Sequence, residues 1–334
     1  MTDNPNTQSI IDLTLQYRAA LDKQDLAALN RLIGAYKDIS KSLQGSIDAL
    51  SLEIASGEYT RTTVIRLGRY KDLLTQAEEQ LRDFQGLLST EVRAAGGNAV
   101  VLGESQARGL LSATLTGNPG IAGQFQKLPA AAIESLLGFL DPAGPLYGRI
   151  KSLAPVTVDA ISQAILDGVT KGLGSKAIAR SITNGLGMGL TDALRMTRTV
   201  TNYAYREANR ASYLANGEIT PQWQWFAQLD GNCCMSCVSQ HGSIHPVTET
   251  LNDHHNGRCT MLPVTPLFGP TIPVNAGGAW FDEQGEAVQR QMMGRGMFDA
   301  WEKGRIDLSQ LSVEKPNDVY GPMKVVPSLK DLLK

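Results

Sequence analysis

The residues of this chain best suited to chemistry are gathered in one short segment. All four cysteines and all four histidines lie between residues 233 and 259 of the 334-residue chain. Thiolate sulfur and imidazole nitrogen are the donors that zinc prefers in proteins. In a chain this long, cysteines mixed with histidines favour a metal site over the disulfide framework of a small secreted protein. The segment therefore predicts a bound zinc ion.

The spacing within the segment suggests which side chains would hold the ion. Cys234-x-x-Cys237 is a short pair that brings two sulfurs together, and His254-x4-Cys259 is a second pair further along the chain. These four donors can surround one tetrahedral ion, so we predict Cys234, Cys237, His254 and Cys259 as zinc ligands. Neighbouring side chains could substitute for one of them, so the spacing leaves the fourth ligand open. The alternates are Cys233, His255, His241 and His245.

Four interpretations of the segment differ in chemistry. Three thiolates and one imidazole fill a zinc site, so a closed structural site is favoured over a catalytic site with an open position. A disulfide between the adjacent Cys233 and Cys234 is an alternative in oxidising surroundings. A nuclease of the His-Asn-His type is another, since His254-His255-Asn256 follows a Cys-x-x-Cys pair. The chain has no histidine after His255 to complete that motif.

Two long helices are predicted at the N-terminal end of the chain. No proline occurs between Pro5 and Pro119, and apolar residues recur at steps of three and four, which is helical spacing. A turn near Gly57 would make the pair an antiparallel hairpin whose apolar seams bury each other; docking of this arm on a partner is the alternative. The seams consist of Leu26, Leu29, Ile33, Tyr36, Leu43, Ile47, Leu50 and Ile54, then Leu67, Tyr70, Leu74, Ala77, Leu81, Phe84 and Leu88.

The rest of the chain is predicted to be helical with a small β element around the cysteines. A third helical block at 156–214 should break at the glycines of 172–175 and 185–189. Alternating aromatics at 222–230 predict a short strand, and 261–266 predicts a second, edge strand because of its prolines. A helical stretch at 280–311 and an extended end follow.

We therefore predict a mainly α protein with a small β element (α+β), in which a long N-terminal helical hairpin precedes a helical domain with short strands around the Cys/His metal knot. The predicted domains are a hairpin arm at 1–95, a Gly/Pro-containing connector with short helices at 96–154, a domain at 155–312 with the metal knot at 230–260, and an extended tail at 313–334.

Charge and hydropathy exclude some functions. With 31 Lys plus Arg against 33 Asp plus Glu, the net charge of -2 argues against nucleic-acid binding over the whole surface. Arg195, Arg198, Arg206 and Arg210 share a helix face only in part, which favours a solvated surface over a DNA-binding one. No apolar run is long enough to span a membrane, and the polar start is unlike a signal peptide, so synthesis in the cytoplasm is expected.

The Cys/His segment resembles the signature of the phage head morphogenesis family, the Mu-type minor head proteins. The usual form of that signature is Trp, then Asp-x-x-Thr-Cys-x-x-Cys, a nearby Gly, and a closing His-x-Asn-Cys-Arg-Cys. The matching residues are Trp225, Asp230, Cys234, Cys237, Gly242, His254, Asn256, Arg258 and Cys259. The chain departs from the pattern at Cys233, where Thr is common, and at Gly257, where Cys is common. Val200 replaces the glutamate of an upstream Arg-Thr-Glu motif.

The resemblance covers about residues 155–312 and implies a structural component of the virion. Such a protein would be a minor head component at or near the portal, with the portal, major capsid or scaffolding proteins as partners and possible contact with packaged DNA. It would act in capsid assembly, DNA packaging or DNA ejection, with a structural zinc and no catalytic residues. It would be made in the host cytoplasm and reside in the phage head.

An enzyme is the alternative function. Some chains of this family are joined to toxin or ADP-ribosyltransferase domains, and the knot itself would serve a metal-dependent nuclease. This chain carries no Arg/Ser-Thr-Ser/Glu-x-Glu set of the transferase type. A structural role is therefore the favoured expectation.

Overall fold

A computed structural model describes residues 5–129, 132–133, 141 and 143–334 of the protein. Part of the predicted connector, between residues 130 and 142, lies outside the described residues. Helices account for 66% of the chain and strands for 7%, which confirms the predicted mainly α class with a small β element. Among the described helices, none is both long and apolar enough to cross a bilayer.

Long helices dominate the first two thirds of the chain, with two single-turn helices between them. In chain order the helices are α1 (Thr7–Ser56), the short α2 (Arg61–Val64), α3 (Gly68–Thr114), the short α4 (Pro119–Ala122), α5 (Pro145–Thr170) and α6 (Ser175–Leu214). Short elements follow: β1 (Gln222–Phe226), α7 (Met235–Gln240), β2 (Ile244–Pro246), β3 (Thr260–Val264), α8 (Ala276–Asp282), α9 (Glu286–Met293), α10 (Arg295–Glu302), a 3-10 helix (Leu308–Leu311), β4 (Val313–Lys315), β5 (Met323–Val325) and α11 (Leu329–Leu332).

The chain divides into two compact units, each made of separate stretches of sequence. The Cys/His unit comprises the described residues of 1–23, 96–139 and 199–334, and the helical unit those of 24–95 and 140–198. The four predicted domains stay a prediction.

In the helical unit, the apolar seams of α1 and α3 are buried as predicted. The rings of Tyr36 and Phe84 meet edge to face with centroids 4.8 Å apart, and Arg31 pairs with Glu91 across the two helices. One predicted seam member is wrong, since Leu26 is 55% exposed. Three others are only half-buried: Ile33, Leu67 and Leu74. The buried seam residues include Leu43, Ile47, Leu50, Ala77, Leu81 and Leu88.

Several glycines permit close helix packing where the sequence suggested helix ends. The predicted break at 172–175 is confirmed, since α5 ends at Thr170 and Gly172 has a positive φ of 61°. The predicted break at 185–189 is wrong, because α6 continues through it. A Cβ on Gly189 would overlap Tyr36 and Thr157, so glycine there lets helices approach closely.

Glycines also permit close helix packing in α3, which extends beyond the predicted end of the hairpin arm at residue 95. The helix continues to Thr114 through several glycines. In the Cys/His unit, a Cβ on Gly103 would overlap the backbone carbonyl of Tyr205 in α6. Glycine therefore serves helix contact here and does not end the helix.

A three-stranded antiparallel sheet forms the centre of the Cys/His unit. Its strand order is β2-β1-β3, which confirms the predicted short strand and the predicted edge strand. Trp225 of β1 lies opposite Met261 of β3, and both are buried. The chain end, predicted to be extended, forms the β4–β5 hairpin, and Lys324 donates its backbone N–H to the carbonyl of Asn252. The hairpin thus contacts the Cys/His segment.

Candidate metal centre

The Cys-x-x-Cys pair is shaped by the start of α7. Cys234 is the N-cap residue of that helix, and its Sγ accepts a hydrogen bond from the backbone N–H of Cys237 at 3.4 Å. An N-cap side chain turns back toward the first helical turn, which places it beside the residue three positions later. The two Sγ atoms consequently lie 3.5 Å apart.

His254 brings the third donor to this pair. Its Nε2 lies 3.0 Å from the Sγ of Cys234 and 3.3 Å from the Sγ of Cys237. Three of the four predicted ligands therefore converge. The donor atom of Cys259 lies within 4.8 Å of those of Cys237 and Asp253, which form a second, fully buried group. Cys237 belongs to both groups.

The converging donors fit a zinc ion in both distance and chemistry. At zinc bond lengths of about 2.0–2.3 Å, tetrahedral donors lie roughly 3.3–3.8 Å apart, and the three distances among Cys234, Cys237 and His254 are close to that range. Two sulfurs and an imidazole form a donor set typical of zinc. A cavity of about 40 Å³ adjoins these donors, which is room for an ion and far below the volume of an organic substrate pocket.

Electrostatics around the donors favour a thiolate facing an imidazolium when no metal is present. The hydrogen bond from Cys237 lowers the pKa of Cys234 to about 5, and His254 adds to the effect. Burial lowers the pKa of His254, but its bond to Cys234 and the charge of Asp253 raise it to about 9. Burial raises the pKa of Cys259 to about 11. Metal binding at Cys234 and His254 would therefore release the imidazole proton.

A buried ion pair that the sequence did not predict adjoins the donors. The Arg206 Nη1 of α6 lies 3.4 Å from the Oδ2 of Asp253, and both side chains are almost fully buried. The Asp253 carboxylate also accepts hydrogen bonds from the backbone N–H groups of His254 and Cys259. Burial raises the pKa of Asp253, but Arg206, His254 and the Cys259 N–H together lower it below its usual value. Asp253 is therefore ionised and linked to two predicted ligands.

A second ion pair closes the ends of the segment. Both guanidinium Nη atoms of Arg258 contact the Asp230 carboxylate, at 2.8 and 2.6 Å. Arg258 is the largest cause that lowers the pKa of Asp230. Asp230 precedes the first cysteine and Arg258 precedes the last one. This bidentate pair therefore holds the two ends of the Cys/His segment together.

Two of the other histidines have partners away from the sulfur donors. The Nδ1 of His241 accepts the backbone N–H of Ala227 at 3.0 Å, and burial lowers the pKa of His241 to about 4. His255 lies 3.5 Å from the Thr199 hydroxyl through Nδ1. Among the described residues, only His254 of the four histidines groups with the cysteines. The alternates His241 and His255 remain untested as ligands.

His245 takes part in a chain of side chains that resembles a hydrolase triad in its residue types. Its Nε2 lies 2.8 Å from the Ser243 Oγ, and its Nδ1 lies 2.9 Å from the Glu249 carboxylate. The Ser243 hydroxyl, however, donates its one proton to the Gln240 carbonyl at 2.7 Å. His245 also stacks on Trp223 with centroids 4.4 Å apart. This geometry does not activate Ser243 as a nucleophile.

The four arginines considered for DNA binding are all paired with carboxylates. In the helical unit, Arg195 pairs with Asp192 and Arg198 with Asp25. In the Cys/His unit, Arg206 pairs with Asp253 and Arg210 with Glu207. A carboxylate partner neutralises the charge of each guanidinium group and so weakens its attraction to phosphates. These pairs agree with the expectation that the four arginines do not form a DNA-binding face.

Comparison with known proteins connects this centre to one family. Residues 159–262 match the family described as Phage Mu protein F like protein, which is a phage head morphogenesis family. The match runs from α5 to β3 and includes every cysteine and histidine of the chain. It confirms the resemblance inferred from the sequence. No curated protein and no solved structure shows significant similarity to the chain.

Proposed function

We propose, from the family match over residues 159–262, that this chain is a minor head component of a phage virion. The match carries the proposal because it includes the Cys/His segment together with helices α5 and α6 that precede it. In the virion the chain would act at or near the portal, in capsid assembly, DNA packaging or DNA ejection. Its partners would be the portal, the major capsid or the scaffolding proteins, and it would be made in the host cytoplasm.

The proposed role of the metal centre is structural. Cys234, Cys237 and His254 would hold a zinc ion, and Cys259 is the fourth ligand predicted by spacing. The bound ion would link α7 to the loop before β3, two parts of the Cys/His unit that are separated in sequence. Zinc binding to such a site contributes directly to the free energy of folding. The small cavity beside the donors supports this role over catalysis.

Incorporation into virions tests the proposal. Phage particles are assembled with wild-type chain or with the Cys234→Ser variant, purified, and examined for the chain by mass spectrometry. We expect the wild-type chain in the particles and a strong depletion of Cys234→Ser. The exposed Asn232→Ser, in the same loop, is the matched control and should be incorporated normally. Absence of the wild-type chain from purified particles would contradict the proposal.

A metal-dependent nuclease is the competing function. The wild-type chain, loaded with zinc, is incubated with plasmid DNA and Mg²⁺, and the expected result is intact DNA. Cleavage that is lost on His255→Ala while zinc stays bound would establish the enzyme instead. His255 suits this test because its ring contacts Thr199 and Tyr320.

A further inference from the structure

A groove runs between α1 and α3 in the helical unit, with a volume of about 400 Å³. Each helix lines it with residues at positions i, i+3, i+4 and i+7, so one face of each helix is turned toward the groove. The lining residues are Ala35, Asp38, Ile39 and Ser42 on α1, and Gln80, Asp83, Phe84 and Leu87 on α3. None of these described lining residues is a lysine or an arginine.

Polar side-chain pairs join the two helices at both ends of the groove. At one end the Ser42 hydroxyl contacts the side-chain carbonyl of Gln80 at 2.5 Å. Beyond the other end Arg31 donates to both carboxylate oxygens of Glu91, at 2.6 and 2.7 Å. The stretch of α1 from Arg31 to Ser42 is about 16 Å long, or roughly three helical turns. The groove is therefore an interval of that length without a polar pair across it.

Two carboxylates face this interval without a counter-charge. The antiparallel register fixed by the polar pairs places Asp38 of α1 and Asp83 of α3 in one layer, on opposite sides of the groove, and both are exposed. Within the described part of the chain neither carboxylate makes an ion pair, not even with Lys41, one turn from Asp38 on α1. The neighbouring layers hold complementary pairs, whereas this layer holds like charges. A cation brought in from outside would neutralise them.

The floor of the groove is apolar and fixed by contacts within the helical unit. Ile39 and Phe84 form it, with exposures of 9% and 3%, and Leu87 beside them is half-buried. The Phe84 ring meets Tyr36 edge to face, and the Tyr36 hydroxyl donates to the Leu186 carbonyl of α6. A floor held in this way needs little reordering when a partner binds, which favours affinity.

We propose that this groove binds a basic amphipathic helix of a partner protein. Two facing sets of residues at i, i+3, i+4 and i+7 form the kind of groove into which the side-chain ridge of a third helix packs. Apolar side chains of the partner would cover Ile39, Phe84 and Leu87. Lysine or arginine side chains on its flanks would pair with Asp38 and Asp83. The proposal rests neither on the metal centre nor on the proposed head function.

Peptide binding to the full chain tests the proposal. The probe is a helix-stabilised synthetic peptide with Leu at i, i+4 and i+7 and Lys on both flanks, labelled for fluorescence anisotropy. We expect this Lys peptide to bind the wild-type chain. A peptide with Glu in place of each Lys should bind at least about 10-fold more weakly, because charge complementarity is lost. Equal binding of the two peptides, or no binding of the Lys peptide, would overturn the proposal.

Combining Asp38→Asn with Asp83→Asn locates the binding site. Both positions are exposed and the apolar floor is unchanged, so the variant should fold as the wild type does. Its affinity for the Lys peptide should fall by about 10-fold, the size expected for the loss of two exposed ion pairs. Asp48→Asn combined with Asp72→Asn is the matched control, since it removes the same charge from exposed positions of α1 and α3 outside the groove.

The control should bind the Lys peptide as tightly as the wild type. An equal loss of affinity in the two double variants would show that the peptide follows net charge alone, and the groove would be the wrong site. Sedimentation velocity tests a second copy of the chain as the occupant. We expect the wild type and Asp38→Asn combined with Asp83→Asn to sediment alike. Self-association that only the wild type shows would assign the groove to a second copy and overturn the proposal.

Discussion

His241 is held in the fold as a neutral acceptor. The residue is 6% exposed, and its Nδ1 accepts the Ala227 backbone N–H just after β1. Protonation of Nδ1 would place a second N–H group against the Ala227 N–H in a buried position. Burial therefore lowers the pKa of His241 from 6.5 to about 4. The consequence is a pH-dependent contribution to stability.

We predict that His241 destabilises the protein as the pH falls from 6.5 to 4. In this window the unfolded chain binds the proton and the folded chain does not, so stability rises with pH and is lost on acidification. The loss is on the order of 2–3 kcal/mol. Urea unfolding of wild type and His241→Asn at each pH measures it, since Asn can accept the same N–H without titrating. Both proteins carry the same cysteines and His254, so the difference between their unfolding free energies reports on His241. A difference that stays constant between pH 6.5 and 4 would refute the prediction.

Gly257 is expected to tolerate no side chain. In Gly257→Ala the new Cβ overlaps the Asp253 carboxylate, so the loop or the Arg206 pair must shift. Overpacking of this kind costs about 1–3 kcal/mol of unfolding free energy. Gly231→Ala, in the same segment, places its Cβ in open space with no atom within 4 Å, and should change stability by less than about 0.5 kcal/mol. Equal effects of the two variants on chemical unfolding would count against this role of Gly257.

Helix α6 contributes differently to the two units along its length. In the helical unit Gly189 lies close to α1 and α5, and the Tyr36 hydroxyl donates to the Leu186 carbonyl at 2.6 Å. In the Cys/His unit Arg206 reaches Asp253 beside the proposed ligands. One continuous helix therefore carries both close backbone packing and the charge that neutralises Asp253.

Two glycines two positions apart on α6 should respond to alanine with opposite signs. Gly189→Ala places a Cβ against Tyr36 and Thr157 and should lower stability by about 1–3 kcal/mol. Gly187→Ala has open space around its Cβ and should raise stability by up to about 1 kcal/mol, because alanine favours the helix. Thermal unfolding of the two variants beside the wild type measures the difference. A change of stability with the same sign in both variants would contradict the role of packing at Gly189.

For the whole molecule, stability should depend on free zinc. If zinc binds the folded chain only, each tenfold rise in free zinc above its dissociation constant adds about 1.4 kcal/mol to the unfolding free energy. Chemical unfolding in zinc buffers measures this slope, and a chelator should lower the midpoint. Cys234→Ser should abolish the dependence. If the unfolding midpoint of the wild type does not change with the free zinc concentration, the structural role proposed for the ion is wrong.

Much of the fold was predictable from local pattern. Steps of three and four residues identified the long helices, and the alternating aromatics before the cysteines identified β1, because these periodicities follow from the geometry of helix and strand. Glycine was a misleading signal at 185–189. Whether a glycine ends a helix or permits contact depends on what lies opposite it, as Tyr36 does for Gly189, and that neighbour is distant in sequence.

The sequence by itself determined the class of site: eight potential metal donors in one segment, the Cys234-x-x-Cys237 pair and the family signature around it. Those features depend on residue type and spacing over a few turns, which the chain records directly. Only the tertiary structure brought Arg206 to Asp253 and placed the His241 ring against the Ala227 N–H. Such pairings join residues far apart in the chain, and burial makes an ion pair or a neutral imidazole necessary only after the chain has folded.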